Sequence, residues 1–485
     1  MNETIENSLI ELFEATFQEK ALQVEHIPAS ASDRRYVRIM SKNKNIIGSY
    51  NSNKKENVAF VAFTKHFIKK GIAVPAVLAE DLEQDIYLLE DLGNQTLLQY
   101  LNQERTSDTF PSSVFDLYKK AVQDLAHLQI EGDEGFDYDL CSESKKFNKR
   151  AMLYDLNAFQ FHFLKVVGVV YDIEKLERDF KRLIQLLTKE KDYNYFMFRD
   201  FQSRNIMIKD GKPYYIDYQS GRKGALQYDL ASLLYQAKAN IPQATRDELT
   251  DIYIEEISQM IDIDKNHFKK TAYTFVLLRT LQVLSTYGYR GFYQRKAHFL
   301  ASIPYAINNL EWLLNNKHIP KRLPELKSVI RQLTKMQHLR TMNDKYPNGA
   351  SNLTVTISSF SYKRNIPTDD SGNGGGFVFD CRSIHNPGRY EPYKKLTGRD
   401  ESVKQFLETK SEIPAFLESV YTLVDAAVKK YIDRDFTSLM VSFGCTGGQH
   451  RSVYSTDALA KHLQEKFNIN VKVNHVEQEL KNWIN

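Results

Sequence analysis

A chain of 485 residues with 42% apolar and 12% aromatic content is long for one core and fills two or three. Its 65 Lys and Arg against 61 Asp and Glu leave a net charge of +4, which argues neither for nor against nucleic acid. Cys141, Cys381 and Cys445 are odd in number, far apart and without CxxC spacing, so reduced thiols in a cytoplasmic protein are expected.

From the start of the chain, MNETIENSLIELFEATF is acidic and lacks the apolar core of a secretory leader. LQVEHIP, RRYVRIM and NIIGSYN read as three antiparallel strands. ENVAFVAFTKHFIKKG has apolar residues at helical spacing and stops at Gly71; VPAVLAED and DIYLLEDLG read as two further strands. Five strands and a helix followed by a long helical region, about 112–341, is the two-lobe plan of a kinase-like α+β fold. The most apolar run, TFVLLRTLQVL, is short and carries Arg279, which predicts packing against protein rather than a membrane span. We place the first domain at 1–340, with a β-rich lobe over about 1–92 and a helical lobe over about 93–340. A Pro/Asn/Gly/Ser-rich linker follows over 341–351. The pattern then resets to NLTVTISSFSY (strand), the loop DDSGNGGG, GFVFDCR (strand), a helical stretch near 400–433, SLMVSFG (strand), CTGGQHRS (loop), a helix near 451–467 and INVKVNHV (strand). This predicts a small α/β domain over 352–485, with some parallel pairing and a Gly-rich strand-to-helix phosphate loop.

Phosphoryl transfer needs an Asp to take the proton of the attacking hydroxyl, and an Asn and a second Asp to hold Mg²⁺ on the phosphates. FRDFQSRNIMI and YYIDYQSG supply them as Asp200, Asn205 and Asp217, at intervals of five and twelve residues around a hairpin. The first turn of the β-lobe, Ala29–Asp33, is rich in small and hydroxyl residues. Ser30 and Ser32 are candidates to bring the backbone against nucleotide phosphates. Glu90 to Leu92, in LLEDLG, have the character of an interlobe hinge whose backbone meets adenine.

YLLEDLGNQTL, FRDFQSRNIMI and YYIDYQSGRKGALQYDLASLL resemble the aminoglycoside/choline phosphotransferase family, over roughly residues 20–315. RRYVRI and SRN are similar to its branch of anomeric kinases for N-acetylmuramate and N-acetylglucosamine in cell-wall sugar recycling. The resemblance implies ATP and Mg²⁺ as cofactors, Asp200 as the base, Asn205 and Asp217 as metal ligands, and Asp229 as support for the loop. It puts Arg199 and Arg204 beside the base and Tyr287, Arg290 and Lys296 near the acceptor. The third strand departs from the pattern, because it ends without the Lys that most kinases set on the α/β-phosphates. Arg34 and Arg35 are the candidate replacements.

In CTGGQHRS two glycines before a helix allow close approach of an anion, so phosphate binding is expected. The spacing of Cys445 and Arg451 also fits a cysteine-dependent phosphatase loop, but Gly444 stands where such loops carry His. FVFDCRSIHNPGRYEPYKKLTGRDESVKQFL with VSFGCTGGQHRSVYSTDALAKHL resembles the C-terminal domain of the RapZ adaptors, RNA-binding proteins that sense glucosamine-6-phosphate. That resemblance implies an amino-sugar-phosphate pocket from Asp380, Arg382, Asn386, Thr397, Gly398, Cys445, Thr446, Gly447, Gly448, His450 and Arg451. An RNA track along Arg389, Lys394, Lys395 and Arg399 is unsupported by charge balance, since acids are interleaved there; the resemblance also hints at homo-oligomers. The preferred reading is an ATP- and Mg²⁺-dependent amino-sugar kinase with a sugar-phosphate sensor and no membrane partner. The alternative is a non-catalytic platform with a sugar-phosphate- or RNA-binding domain; aminoglycoside or choline kinases rank below both.

Overall fold

The computed structural model describes residues 3–27, 34–105, 109–189, 194–294, 296–342, 353–369, 375–434, 436–467 and 469–480. Ser30, Ser32, most of the DDSGNGGG loop and most of the linker lie outside the described residues. The chain divides into two compact units, one of Met1–Tyr289 with Ser302–Thr341, the other of Arg290–Ala301 with Met342–Asn485.

The first unit opens on an antiparallel sheet ordered β1-β2-β3-β5-β4, formed by Gln23–Ile27 (β1), Arg35–Met40 (β2), Asn45–Tyr50 (β3), Val77–Asp81 (β4) and Ile86–Glu90 (β5). All five expected strands are present. β5 reads IYLL because both faces of the sheet are covered, and successive strand residues point to opposite sides. Ile86 and Leu88 join Val37, Ile39 and Ile46 against Leu9 and Phe13 of the helix Glu3–Phe17. Tyr87 and Leu89 face Phe60, Phe63 and Phe67 of the helix Lys54–Lys69. The Glu3–Phe17 helix has no counterpart in the expectations above, although Leu9, Phe13 and Phe17 recur at i, i+4 spacing. The Lys54–Lys69 helix is capped by Asn53, whose side chain accepts from the Glu56 N–H, and Gly71 follows it at φ +74°.

The remainder of the unit is helical, led by Ser112–Ile130, Gln243–Ser258 and Lys265–Tyr287. Two short antiparallel pairs interrupt it: Tyr195–Met197 (β6) with Arg222–Gly224 (β9), and Ile206–Lys209 (β7) with Lys212–Tyr215 (β8). Asp210 and Gly211 both have positive φ, 51° and 71°, which closes the β7–β8 hairpin in the twist that two-residue Asp-Gly turns favour. The chain leaves β6, passes the hairpin and meets β9, so the loops after β6 and β8 come to one end.

The second unit has four strands, Thr354–Ser361 (β10), Gly376–Asp380 (β11), Ser438–Cys445 (β12) and Asn470–His475 (β13), ordered β11-β12-β10-β13. Every pairing is parallel. Val355 and Ile357 of β10 and Leu439, Val441 and Phe443 of β12 pack with Leu459 and Leu463 of the helix Arg451–Lys466 and with Leu417, Val420 and Val424 of the helix Ile413–Asp433. In register, Ser361 lies opposite Cys445 and Asp380 opposite Gly444. Three strand ends therefore share one rim, where ligands of parallel sheets gather. Among the described residues no helix is long and apolar enough to cross a membrane.

Candidate active site

The loop after β6 is fixed before any ligand is considered. The N–H of Phe198 donates to Asp229 Oδ2 at 2.6 Å and the N–H of Arg199 to Oδ1 at 2.9 Å. Gln129 Nε2 adds a third bond at 3.1 Å. Asp229 begins a buried helix, Leu226–Leu234; burial pushes its carboxyl up to about 7, against the pull of the two backbone donors. Arg199 sits at φ +82°, and its guanidinium binds Asp155 at 2.9 and 3.1 Å and the Tyr228 hydroxyl at 2.6 Å. It also lies 4.5 Å over the Phe147 ring. Of the two roles that a place beside the base allows, neutralising phosphate or orienting the acids, this loop-bracing position suits the second.

Asp200 is held by a residue that sequence reasoning missed. Arg279 Nη2 donates to Asp200 Oδ1 at 2.8 Å, while its Nη1 donates to Gln282 at 2.7 Å and to Tyr228 at 3.2 Å. Burial alone would raise the Asp200 carboxyl, but Arg279, Arg199 and Arg204 outweigh it and hold the group at about 2. It is a carboxylate throughout the physiological range. Arg204 is exposed and has no ion pair among the described residues, so its charge faces the two acids without a partner of its own. The signal for Arg279 was available: one Arg inside the apolar run TFVLLRTLQVL is bound to be buried and needs an acid opposite it.

Asn205 ties the two halves of the hairpin together. Its Nδ2 donates to the Asp200 carbonyl at 2.9 Å and to Asp217 Oδ2 at 3.2 Å, and its own carbonyl accepts from Ile216 N–H at 3.0 Å. Asp217 follows β8 at φ +73° and accepts from Gln219 Nε2 at 2.8 Å. Its carboxyl is pushed up by burial and by the charge of Asp200, against Gln219, Arg204 and Arg34. An exposed carboxylate, with the Asp200 carboxylate near it and an amide oxygen beside it, suits a hard cation. Mg²⁺ takes oxygen donors and keeps water and phosphate for most of its shell.

At the nucleotide side, Glu90 ends β5 with its N–H on the Ala76 carbonyl at 2.9 Å. Lys209 of β7 donates to the Glu90 carboxylate at 2.7 Å and to the Asp91 carbonyl at 3.2 Å, which pins the hinge to the hairpin. Arg38 grips the Asp91 carboxylate at 2.6 Å. Leu92, buried, is the hinge residue whose backbone groups have no partner among the described residues. Arg35 is exposed, whereas Arg34 is buried and paired with Glu56 at 2.6 Å. Tyr287 belongs to the unit that holds these acids; Arg290 and Lys296 belong to the second unit.

In that second unit, the turn after β12 runs from Cys445 to the start of the Arg451–Lys466 helix. Gly448 has φ +64°, and a side chain on Gly447 would meet nothing within 4 Å, so the turn presents open backbone. Cys445 Sγ lies 3.2 Å from Ser452 Oγ; although burial opposes ionisation, Ser452, Arg451 and the turn's N–H groups hold the thiol below its ordinary value. Arg451 Nη1 donates to the carbonyls of Arg382 at 3.0 Å and Ile384 at 2.7 Å, and so ties the β11 loop to the helix start. Asp380 and Arg382 pair with each other at 2.6 Å, with the guanidinium 3.9 Å over Tyr362. His450 is bonded to the Tyr393 carbonyl at 2.8 Å, and the Asn386 side chain accepts from Gly388 N–H at 3.1 Å. Thr446 offers its carbonyl to Ser361 Oγ at 2.8 Å. Thr397 is bonded to Asp400, and Gly398 N–H donates to the Gln449 carbonyl at 2.9 Å, an approach too close for any Cβ. The expected pocket residues gather at the loops of one rim, where Asn386, His450 and Arg451 already use side-chain donors or acceptors on the backbone. Of the basic residues considered for an RNA track, Lys394 pairs with Glu391 and Arg399 with Asp457 at 2.8 Å.

Residues 23–262 match the phosphotransferase enzyme family, and residues 353–479 match the RapZ C-terminal domain. The chain is 29% identical over 292 residues to the nucleotide-binding protein FN1089 of Fusobacterium nucleatum, covering 54% of this chain and 95% of that protein. It is 36% identical over 151 residues to a nucleotide-binding protein of Endomicrobium trichonymphae, covering 31% of this chain and only 47% of that relative's length. Among solved structures, choline kinase LicA from Streptococcus pneumoniae is 13% identical with a TM-score of 0.42, covering 63% of this chain and 99% of that one.

Proposed function

We propose that this chain, which joins a phosphotransferase-family domain to a RapZ C-terminal domain, is an amino-sugar kinase that uses Mg·ATP and carries its own sugar-phosphate sensor. The acceptor we favour is the anomeric hydroxyl of N-acetylmuramate or N-acetylglucosamine. One observation carries the reading: Asn205 bridges the Asp200 loop and the Asp217 carboxylate, at 2.9 and 3.2 Å. A scaffold with no chemistry has no use for that gathering of a deprotonated acid, a second acid and an amide.

In this reading Asp200 accepts the proton of the sugar hydroxyl as it attacks the γ-phosphorus. Its fixed charge, held by Arg279, makes it an orienting acceptor with a low proton affinity until the hydroxyl acidifies in the transition state. Asn205 and Asp217 would hold Mg²⁺, which when bound neutralises charge on the phosphates. Arg204 supplies a mobile positive charge at the same face. The resemblance of RRYVRI and SRN to anomeric sugar kinases and that of the second domain to a glucosamine-6-phosphate sensor support a sugar over an aminoglycoside or choline. In the second unit, the open backbone at Thr446 and Gly447 and the positive end of the following helix would receive the phosphate. RNA is the weaker partner, because two of its four candidate cations are already neutralised.

Incubating the full chain with Mg·ATP and a panel of amino sugars, followed by ³¹P NMR, is expected to yield a sugar 1-phosphate from N-acetylglucosamine or N-acetylmuramate. No product across the panel, together with no binding of ATP, would favour the platform reading.

A further inference from the structure

The chain lacks a basic residue at the end of β3, yet the structure sets a cation at that place from the neighbouring strand. In the β2–β3 ladder Arg35 pairs with Tyr50. Arg34, one residue earlier, therefore falls opposite Asn51, just beyond the end of β3, at the ladder spacing of about 4.8 Å. Its side chain is not a surface arm. It is 3% exposed, its Nη2 lies 2.6 Å from Glu56 Oε1, and its guanidinium is 5.1 Å over the Phe60 ring. Phe60 in turn stacks on Tyr218, the residue after Asp217, at 5.0 Å. Glu56 projects from the first turn of the helix that follows β3, the helix whose Glu pairs with the phosphate-binding Lys in kinases.

Two features distinguish this from a structural ion pair. Arg34 Nε is buried and has no hydrogen-bond partner, an expensive state for a charged donor unless a ligand meets it. The Phe60 ring under the guanidinium also stacks on Tyr218, which directly follows Asp217, so the guanidinium lies on the metal side of the cleft. We infer that Arg34 anchors the α/β-phosphates of the nucleotide in place of the absent β3 Lys, with Glu56 fixing one arm of the guanidinium and the unpartnered Nε left for a phosphate oxygen. This deepens the phosphotransferase reading and rests on it. A planar fork differs from a Lys point charge, because it grips two oxygens at set angles while still paired. Arg35, exposed on the other face of the strand, has no such part.

The test is calorimetric titration of the full chain with adenosine, AMP, ADP and Mg·ATP, for wild type and Arg34→Met. Loss of a phosphate anchor is expected to grow with the number of phosphates: adenosine within twofold of wild type, Mg·ATP weakened tenfold or more. Arg34→Met that binds Mg·ATP within twofold of wild type overturns the assignment. So does an equal loss for adenosine and ATP, which marks a purely structural pair. A wild-type protein that binds neither adenosine nor ATP overturns the phosphotransferase reading itself, and the anchor with it.

Discussion

Asp200→Asn is expected to lower kcat by about 10²- to 10⁴-fold, the range that removal of a positioned general base gives. The substitution keeps the shape and retains an oxygen that can accept from Arg279 Nη2, now 2.8 Å from the carboxylate. Stability should therefore fall by only about 1 kcal/mol, the worth of a charge-assisted bond weakened to a neutral one. Nucleotide affinity should stay within a few fold, because none of the contacts proposed for ATP passes through the Asp200 side chain. Steady-state kinetics with thermal denaturation on the same preparation check both halves. Unchanged turnover removes Asp200 from its role, and because its carboxyl is held at about 2, no acid limb of the rate profile above pH 3 should belong to it.

Asp229→Ala is the second large effect, and it acts on stability first. The change strips the acceptor from two buried N–H groups, Phe198 at 2.6 Å and Arg199 at 2.9 Å. At about 1–3 kcal/mol for each orphaned donor, a loss of about 2–6 kcal/mol follows. Activity should collapse with it, because the same N–H groups hold Arg199 at φ +82° and Asp200 next to it. The pH dependence has a definite sign. Burial raises the folded carboxyl from its ordinary 3.8 to about 7, so the neutral acid is the form the fold prefers. The contribution of Asp229 is complete below about pH 4 and declines as pH rises through 7. The penalty of Asp229→Ala in urea denaturation should accordingly be larger at pH 5 than at pH 8. A penalty independent of pH would mean that the carboxyl does not titrate in that interval.

What the sequence revealed and what it hid divide along a physical line. The five strands of the first sheet, the helix that stops at Gly71 and the catalytic hairpin depend on neighbours in the chain, and all are as expected. Asp200 and Asn205 are five residues apart and Asp217 returns along one hairpin, so their meeting needs only local geometry. The partners of those acids come from far away. Arg279 is 79 residues from Asp200, and Asp155 is 44 from Arg199. No spacing rule links them; the packing of long helices decides which buried charges meet. Arg199 illustrates the consequence: adjacency to the base allowed a phosphate contact or an orienting role, and Asp155, Tyr228 and Phe147 claim its guanidinium. Arg34 is the opposite case, where a missing Lys in one strand pointed to a neighbour strand and a buried cation stands there. The Glu3–Phe17 helix escaped notice because that stretch was examined only as a possible leader.

The grip of Asp229 on the loop reaches beyond chemistry into timescales. An amide proton shielded from water, bonded to a buried carboxylate and set in a core of Phe198, Phe201 and Tyr218 can swap with deuterium only when that core opens. The backbone hydrogens of Phe198 and Arg199 should therefore be among the slowest in the protein, exchanging at the rate of global unfolding. The reactive acid beside them would then ride on the most rigid part of the chain, leaving the motions that admit and release substrate to the segments around it.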